Sequence, residues 1–314
     1  MKVFLKYLFL FALFFGCFLA VIFWVWLKNN QLDLLPLPAP NLTNSYSMND
    51  KFDFARGKKA DVLAIGSSMT LNNLDSKVVM AELGTGSYLN LSSWGMSMSD
   101  IYQCLLAYSD FHLPSTVIIS STIGDFTVTN KDLKEGRIKS FLRSSNYTYP
   151  FYFLPNFNLK YYATNYPYSR KVKTDSTSYE FLRYDSYGAL LYNPNYLKKS
   201  PARWNAAIGQ NPEEIQYLYL QKIAEWCQAR EIRLLFFQSP VREGMFSDKV
   251  NPVSREKIEK HMARVSKIIF EHHQELADAG RQDWNDSLYA DNLHFYDFGA
   301  ERYTQFCFRN LKTK

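Results

Sequence analysis

The chain has 314 residues, 47% hydrophobic and 21% charged, with 36 Lys and Arg against 30 Asp and Glu for a formal net charge of +6. The basic residues are scattered instead of forming one stripe, which argues against a nucleic-acid partner. Four cysteines with no CxxC pair and no zinc spacing argue against a disulfide framework and a structural metal, and no cofactor is expected.

From Tyr7 to Leu27 the chain is uninterruptedly apolar and uncharged. At about 1.5 Å per residue such a helix crosses a hydrocarbon core of about 30 Å. Lys2 and Lys6 precede the run and Lys28 follows it, which favours a cytoplasmic N-terminus, and Trp24 and Trp26 suit the outer interface. The run is too long for a cleaved signal peptide and lacks a small-x-small exit, so residues 1–28 are expected to be a retained anchor. Residues 29–59 carry Pro36, Pro38 and Pro40 and then a polar stretch, and read as an extended tether. Residues 60–314 are long enough for one domain with a substantial core.

In that domain short apolar runs alternate with helical patterns. Asp61–Gly66, Tyr88–Leu91, Thr116–Ser121 and Ile232–Phe237 read as buried strands. Ser76–Leu83, Ser97–Phe111, Glu213–Ala229, Ser254–Glu275 and Phe298–Leu311 read as helices. The alternation predicts an α/β fold with a mostly parallel sheet covered on both faces, with its site beyond the carboxyl ends of the strands.

Chemistry-bearing residues fall at those ends. Gly66-Ser67-Ser68 follows the first strand, where a hydroxyl on a tight turn lies beside unpaired N–H groups. Thr70 stands where a Gly-x-Ser-x-Gly elbow would end in glycine, so this is not that motif. Asn90-Leu-Ser-Ser-Trp-Gly95 follows the second strand, and Gly95 can turn its N–H to the same place. Asp291-Asn-Leu-His294 precedes the last helix, a spacing that lets a carboxylate orient an imidazole whose other nitrogen faces a serine. The other four histidines, His112, His261, His272 and His273, lie in helix or helix-end contexts and are expected to be solvent-exposed. Of the cysteines, Cys17 lies in the apolar run. Cys104, Cys227 and Cys307 allow one disulfide with a thiol left over, or three buried thiols.

In their order and spacing these segments resemble the SGNH/GDSL hydrolase superfamily, over residues 60–125 and 230–312, and especially its membrane-anchored, extracytoplasmic branches. The resemblance implies a flavodoxin-like three-layer α/β/α sandwich. It also implies a triad of Ser68, His294 and Asp291, with an oxyanion hole built from Ser68 and Gly95. The third family block, Gly-x-Asn-Asp, falls on Thr122-Ile-Gly-Asp125, where Asp125 matches but Gly124 replaces the oxyanion-binding Asn. Loss of such a donor costs about 2.7–4 kcal/mol of transition-state stabilisation. Either Thr122 or a residue of the insert substitutes for it, or the hole is weak, which would suit transfer over hydrolysis or a loss of activity.

Between the third and fourth strands, residues 126–210 form an insert holding 12 of the 22 tyrosines. Pro150, Pro155, Pro167 and Pro194 are expected to prevent a long helix there. The insert reads either as a lid packed beside the strand ends or as a surface stacking on sugar rings. Anchored relatives imply O-acyl transfer or ester hydrolysis on an envelope polysaccharide or related polymer. The acyl donor and a membrane-bound O-acyltransferase would be partners. A non-catalytic scaffold and an esterase for lipid or small esters are the alternatives.

Overall fold

The structure, a computed structural model, describes residues 2–28, 39–127, 132–144, 148–176, 178–195, 211–247, 254–280 and 282–313. Five parallel strands form one sheet: β1 (Val62–Ala64), β2 (Tyr88–Asn90), β3 (Thr116–Ser121), β4 (Arg233–Gln238) and β5 (Glu275–Asp278), in the order β2-β1-β3-β4-β5. This is the expected three-layer α/β/α arrangement, and the strand order is the flavodoxin-like one.

Strand side chains alternate between two cores, as the period of two requires. Leu63, Leu89, Val117, Ile119, Leu234 and Phe236 pack under the helices Met98–Ser109, Glu214–Gln228 and Arg255–Glu271. Val62, Ala64, Ile118, Leu235, Phe237 and Ala277 pack under Ser76–Leu83 and Asp297–Arg309. The chain leaves β1 toward one face and β3 toward the other. A crevice therefore opens between their carboxyl ends, the topological switch point where such sheets bind ligands.

The sequence expectations need four corrections. The predicted helix over 254–275 ends at Glu271, after which His273 turns at φ 55 and β5 follows. The tether does not extend through residue 59, and its part at 29–38 lies outside the described residues. Tyr46–Ala55 is a helix whose Met48, Phe52 and Ala55 enter the main core. Its Ser47, Asn49, Asp50 and Lys51 side chains are buried with partners. Asn49 Oδ1 accepts from the N–H groups of Leu42 at 3.0 Å and Thr43 at 2.7 Å, and Lys51 donates to the carbonyl of Gly188.

Prolines do not keep the insert from forming helices: Tyr149–Asn156 contains Pro155, and Leu159–Thr174 contains Pro167. Leu159–Thr174 lies against Tyr46–Ala55, and Tyr152 of the shorter helix packs on Phe141. Tyr46 Oη donates to Ser169 Oγ at 2.6 Å, and Asn49 Nδ2 to Tyr161 Oη at 2.9 Å. His261 is buried, not exposed: it packs edge-on to Phe126, 2.8 Å from the Tyr217 hydroxyl, and burial lowers its pKa to about 3. Cys104, Cys227 and Cys307 are buried free thiols. At the N-terminus a helix spans Lys2–Lys28, and its segment Val3–Val25 is long and apolar enough to cross a membrane.

Candidate active site

β1 delivers the serine turn to the crevice. A Cβ at Gly66 would collide with the Thr70 side chain, so only glycine fits. Thr70 is held there because its Oγ1 donates to the Ser120 carbonyl at 2.8 Å and accepts from the Ser120 N–H at 2.9 Å. Threonine at this position therefore ties the turn to β3.

Ser67 caps the helix Ser68–Asn73, its hydroxyl accepting from Met69 N–H at 3.2 Å. Ser68 is the first residue of that helix, where N–H groups lack an intrahelical acceptor. It is also the one residue from Val62 to Leu74 that is not fully buried. From β2, Asn90 Nδ2 donates to the Thr70 carbonyl at 2.9 Å, and Gly95 follows at φ 66, a left-handed conformation that favours glycine.

The opposite wall is the Asp291–His294 turn. Asp291 Oδ1 accepts from Leu293 N–H at 2.7 Å and His294 N–H at 2.8 Å, which closes the turn. Its Oδ2 lies 2.7 Å from His294 Nδ1. Burial alone would raise the Asp291 pKa, but His294, the Tyr179 hydroxyl and the Leu293 N–H outweigh it and hold the carboxyl below its usual value. With Nδ1–H given to Asp291, Nε2 is the basic nitrogen. It is buried and has no hydrogen-bond partner among the described residues.

Ser68, Gly95, Thr122, Gly124, Asp125 and His294 all line one cavity of about 150 Å³. Asp291 lies behind His294, out of contact with the cavity. No Ser68–His294 hydrogen bond is formed. Such bonds often tighten only when substrate binds.

Gly124 lines the cavity, so the position at which the resemblance would put Asn carries no side-chain donor. Asp125 accepts from Ser121 Oγ at 2.9 Å and Thr122 N–H at 3.1 Å. Burial pushes its pKa up to about 6, against the opposing effect of Ser67, Ser121, Thr122 and His294.

Two residues that the sequence did not single out complete the site. Asn73, fully buried at the end of the serine helix, grips the residues on both sides of His294. Its Nδ2 donates to the Leu293 carbonyl at 3.1 Å and its Oδ1 accepts from Phe295 N–H at 3.0 Å. Tyr179, from the insert, donates its hydroxyl to Asp291 Oδ2 and lies 2.9 Å from His294 Nδ1. Tyr192 packs on Tyr179 with ring centroids 4.7 Å apart and meets the His294 ring edge-on. Of the insert's described tyrosines, these two and Tyr162 are buried, which matches the packed-lid reading at these positions. Neither Asn73 nor Tyr179 lies in a spacing pattern that would have marked it.

No family model matches the sequence, and no curated protein matches it. Solved structures of similar fold include the following three. A lipase/acylhydrolase from Enterococcus faecalis is 12% identical with a TM-score of 0.43, over 81% of this chain and 98% of that one. An acylhydrolase from Bacteroides fragilis is 12% identical with a TM-score of 0.40, over 82% and 92%. A variant of an acetyl-xylooligosaccharide esterase from Geobacillus Stearmophilus is 13% identical with a TM-score of 0.40, over 81% and 94%.

Proposed function

We propose that the chain is a serine-dependent esterase or O-acyltransferase of the SGNH/GDSL type, held at a membrane by its N-terminal helix and acting on an envelope polysaccharide or related polymer outside the cytoplasm. The observation that carries the reading is the Asp291–His294 pair. Its Nδ1 is bound to a carboxylate at 2.7 Å, and its unpartnered Nε2 belongs to a residue that shares a cavity with Ser68.

In this mechanism Ser68 Oγ attacks the acyl carbonyl while His294 Nε2 takes the hydroxyl proton, and Asp291 stabilises the imidazolium formed. The Ser68 and Gly95 N–H groups are the oxyanion donors of the reading. Collapse breaks the bond to the leaving alcohol, which receives the proton from His294. Water or an acceptor hydroxyl then gives its proton to His294 and attacks the acyl-enzyme; the bond from the acyl carbon to Ser68 Oγ breaks, His294 returns the proton to Ser68 Oγ, and acid or acylated acceptor leaves. A polymeric acceptor is favoured by a second cavity of about 520 Å³ that shares the Tyr179 wall and carries Arg183, Asp185, Asn193 and Asp297.

The test is turnover of a short p-nitrophenyl ester with and without added oligosaccharide. Acylated oligosaccharide detected by mass supports transfer, and fast hydrolysis with no transfer favours an esterase for small or lipid esters. Gly124 in place of the Asn donor favours one further reading, a polysaccharide-binding scaffold on the same fold, for which neither product would form.

A further inference from the structure

We infer that Phe151, Leu154, Phe157 and Leu159 form a lipid-contacting face that seats the domain on the bilayer from which the N-terminal helix emerges. The inference rests on reading Val3–Val25 as a membrane span. These four side chains are 74%, 63%, 48% and 69% exposed. Among the described residues outside the N-terminal helix they are half of the exposed large apolar side chains, gathered into one short segment. Isolated exposed apolar residues are ordinary, whereas a cluster of this kind marks a surface that something covers.

The local packing explains the cluster. In the helix Tyr149–Asn156, Phe153 is buried among Tyr162 and Phe157, and Tyr152 packs on Phe141. Phe151 and Leu154, three residues apart, share an outward face. The chain then turns at Phe157 and Asn158, and Leu159 opens the next helix on the exposed side.

The N-terminal helix identifies what covers this face. Phe23, two residues before the end of the apolar span, has its ring 5.7 Å from that of Phe153. The exposed cluster is thus continuous with the end of the span, at the depth where a membrane helix leaves the hydrocarbon. Trp24 is exposed at the same level, and Lys160, also exposed, borders the cluster as a group suited to lipid headgroups. Ala39 is already buried in the domain, and ten residues beyond Lys28 reach at most about 35 Å. The chain therefore keeps the domain close to the bilayer.

The test uses the full chain in phosphatidylcholine–phosphatidylglycerol vesicles containing doxyl-labelled lipids. Cys17 is the one cysteine that is not buried, so thiol labelling with an environment-sensitive fluorophore reports on the span. In a Cys17→Ser background the same label is placed by Leu154→Cys, by Lys160→Cys, and by Phe298→Cys on the opposite face of the sheet. The expected result is quenching at Cys17, and quenching at positions 154 and 160 at least twofold greater than at 298. Quenching at Cys17 with no excess at 154 and 160 over 298 would overturn the lipid-contacting face alone. No quenching at Cys17 would overturn the span itself, and the face with it.

Discussion

The Tyr179 hydroxyl lies 2.9 Å from His294 Nδ1, and both groups converge on the same oxygen of Asp291. A phenol from the insert thus shares the carboxylate that holds the imidazole of the proposed general base. Tyr179→Phe removes a hydrogen bond to a charged, buried acceptor, an interaction worth about 1.5–3 kcal/mol. If the proposed mechanism holds, Tyr179 acts through Asp291 and His294, and kcat should fall roughly tenfold, equivalent to about 1.4 kcal/mol, with KM little changed. Steady-state kinetics on a p-nitrophenyl ester checks this. A change confined to KM would mean that Tyr179 contacts substrate instead.

Asn73 links the serine helix to the histidine turn. Asn73→Ala leaves the Leu293 carbonyl and the Phe295 N–H buried without their side-chain partner. The expected cost is about 2–3 kcal/mol of stability, together with a larger loss of activity than the loss of folded protein explains. Denaturant melts and active-site titration on the same sample separate the two effects. Full activity at reduced stability would make Asn73 a fold residue only.

The neighbouring serine gives the opposite pattern. Ser67 is buried and caps the helix through Met69 N–H, so Ser67→Ala should cost about 1 kcal/mol of stability and keep most activity. A melting curve and a rate measured together decide it. Activity that survives Ser68→Ala but is lost in Ser67→Ala would shift the nucleophile assignment to Ser67.

Asp125 predicts a pH dependence of stability. Burial raises its folded pKa to about 6 from 3.8, so the folded state binds the proton more tightly than the unfolded chain does. Its stabilising contribution is complete below about pH 3.8 and is lost as pH rises through about 6. Asp291 has the opposite sign: its lowered pKa contributes stability above the usual carboxylate value, which is lost as pH falls. Melts of Asp125→Asn and the parent chain between pH 4 and 7 should converge at low pH, with the parent falling relative to the variant as pH rises. Parallel curves would contradict the raised value.

Strands β1 to β4 were legible because each is a short, nearly continuous apolar run, the pattern of strands buried on both faces. Strand β5 was not. In Glu275–Asp278 only Leu276 and Ala277 are buried between two acidic ends, and the preceding amphipathic pattern runs into it without a glycine or proline to mark the break. The helix Tyr46–Ala55 was missed for a related reason: Asn49, Asp50 and Lys51 read as solvated, and only their tertiary partners make burial tolerable.

At the candidate site, the convergence of Ser68, Gly95, Asp291 and His294 was legible because each falls just after a strand or before a helix. Asn73 is an ordinary mid-chain amide and Tyr179 one of 22 tyrosines. Their roles come from long-range contacts, with His294 more than a hundred residues from Tyr179, which no local pattern encodes. His261 was misread because its partners, Phe126 and Tyr217, come from other elements.

In the proposed mechanism Ser68 is a nucleophile activated by His294. The most direct test is reaction of the full chain with a fluorophosphonate, followed by mass spectrometry of the peptide containing Gly66-Ser67-Ser68. A single adduct is expected on Ser68, absent in Ser68→Ala and strongly slowed in His294→Ala, with the Ser68→Ala protein melting at nearly the parent temperature. Folded protein that takes up no adduct, or an adduct that persists unchanged in Ser68→Ala, would contradict it.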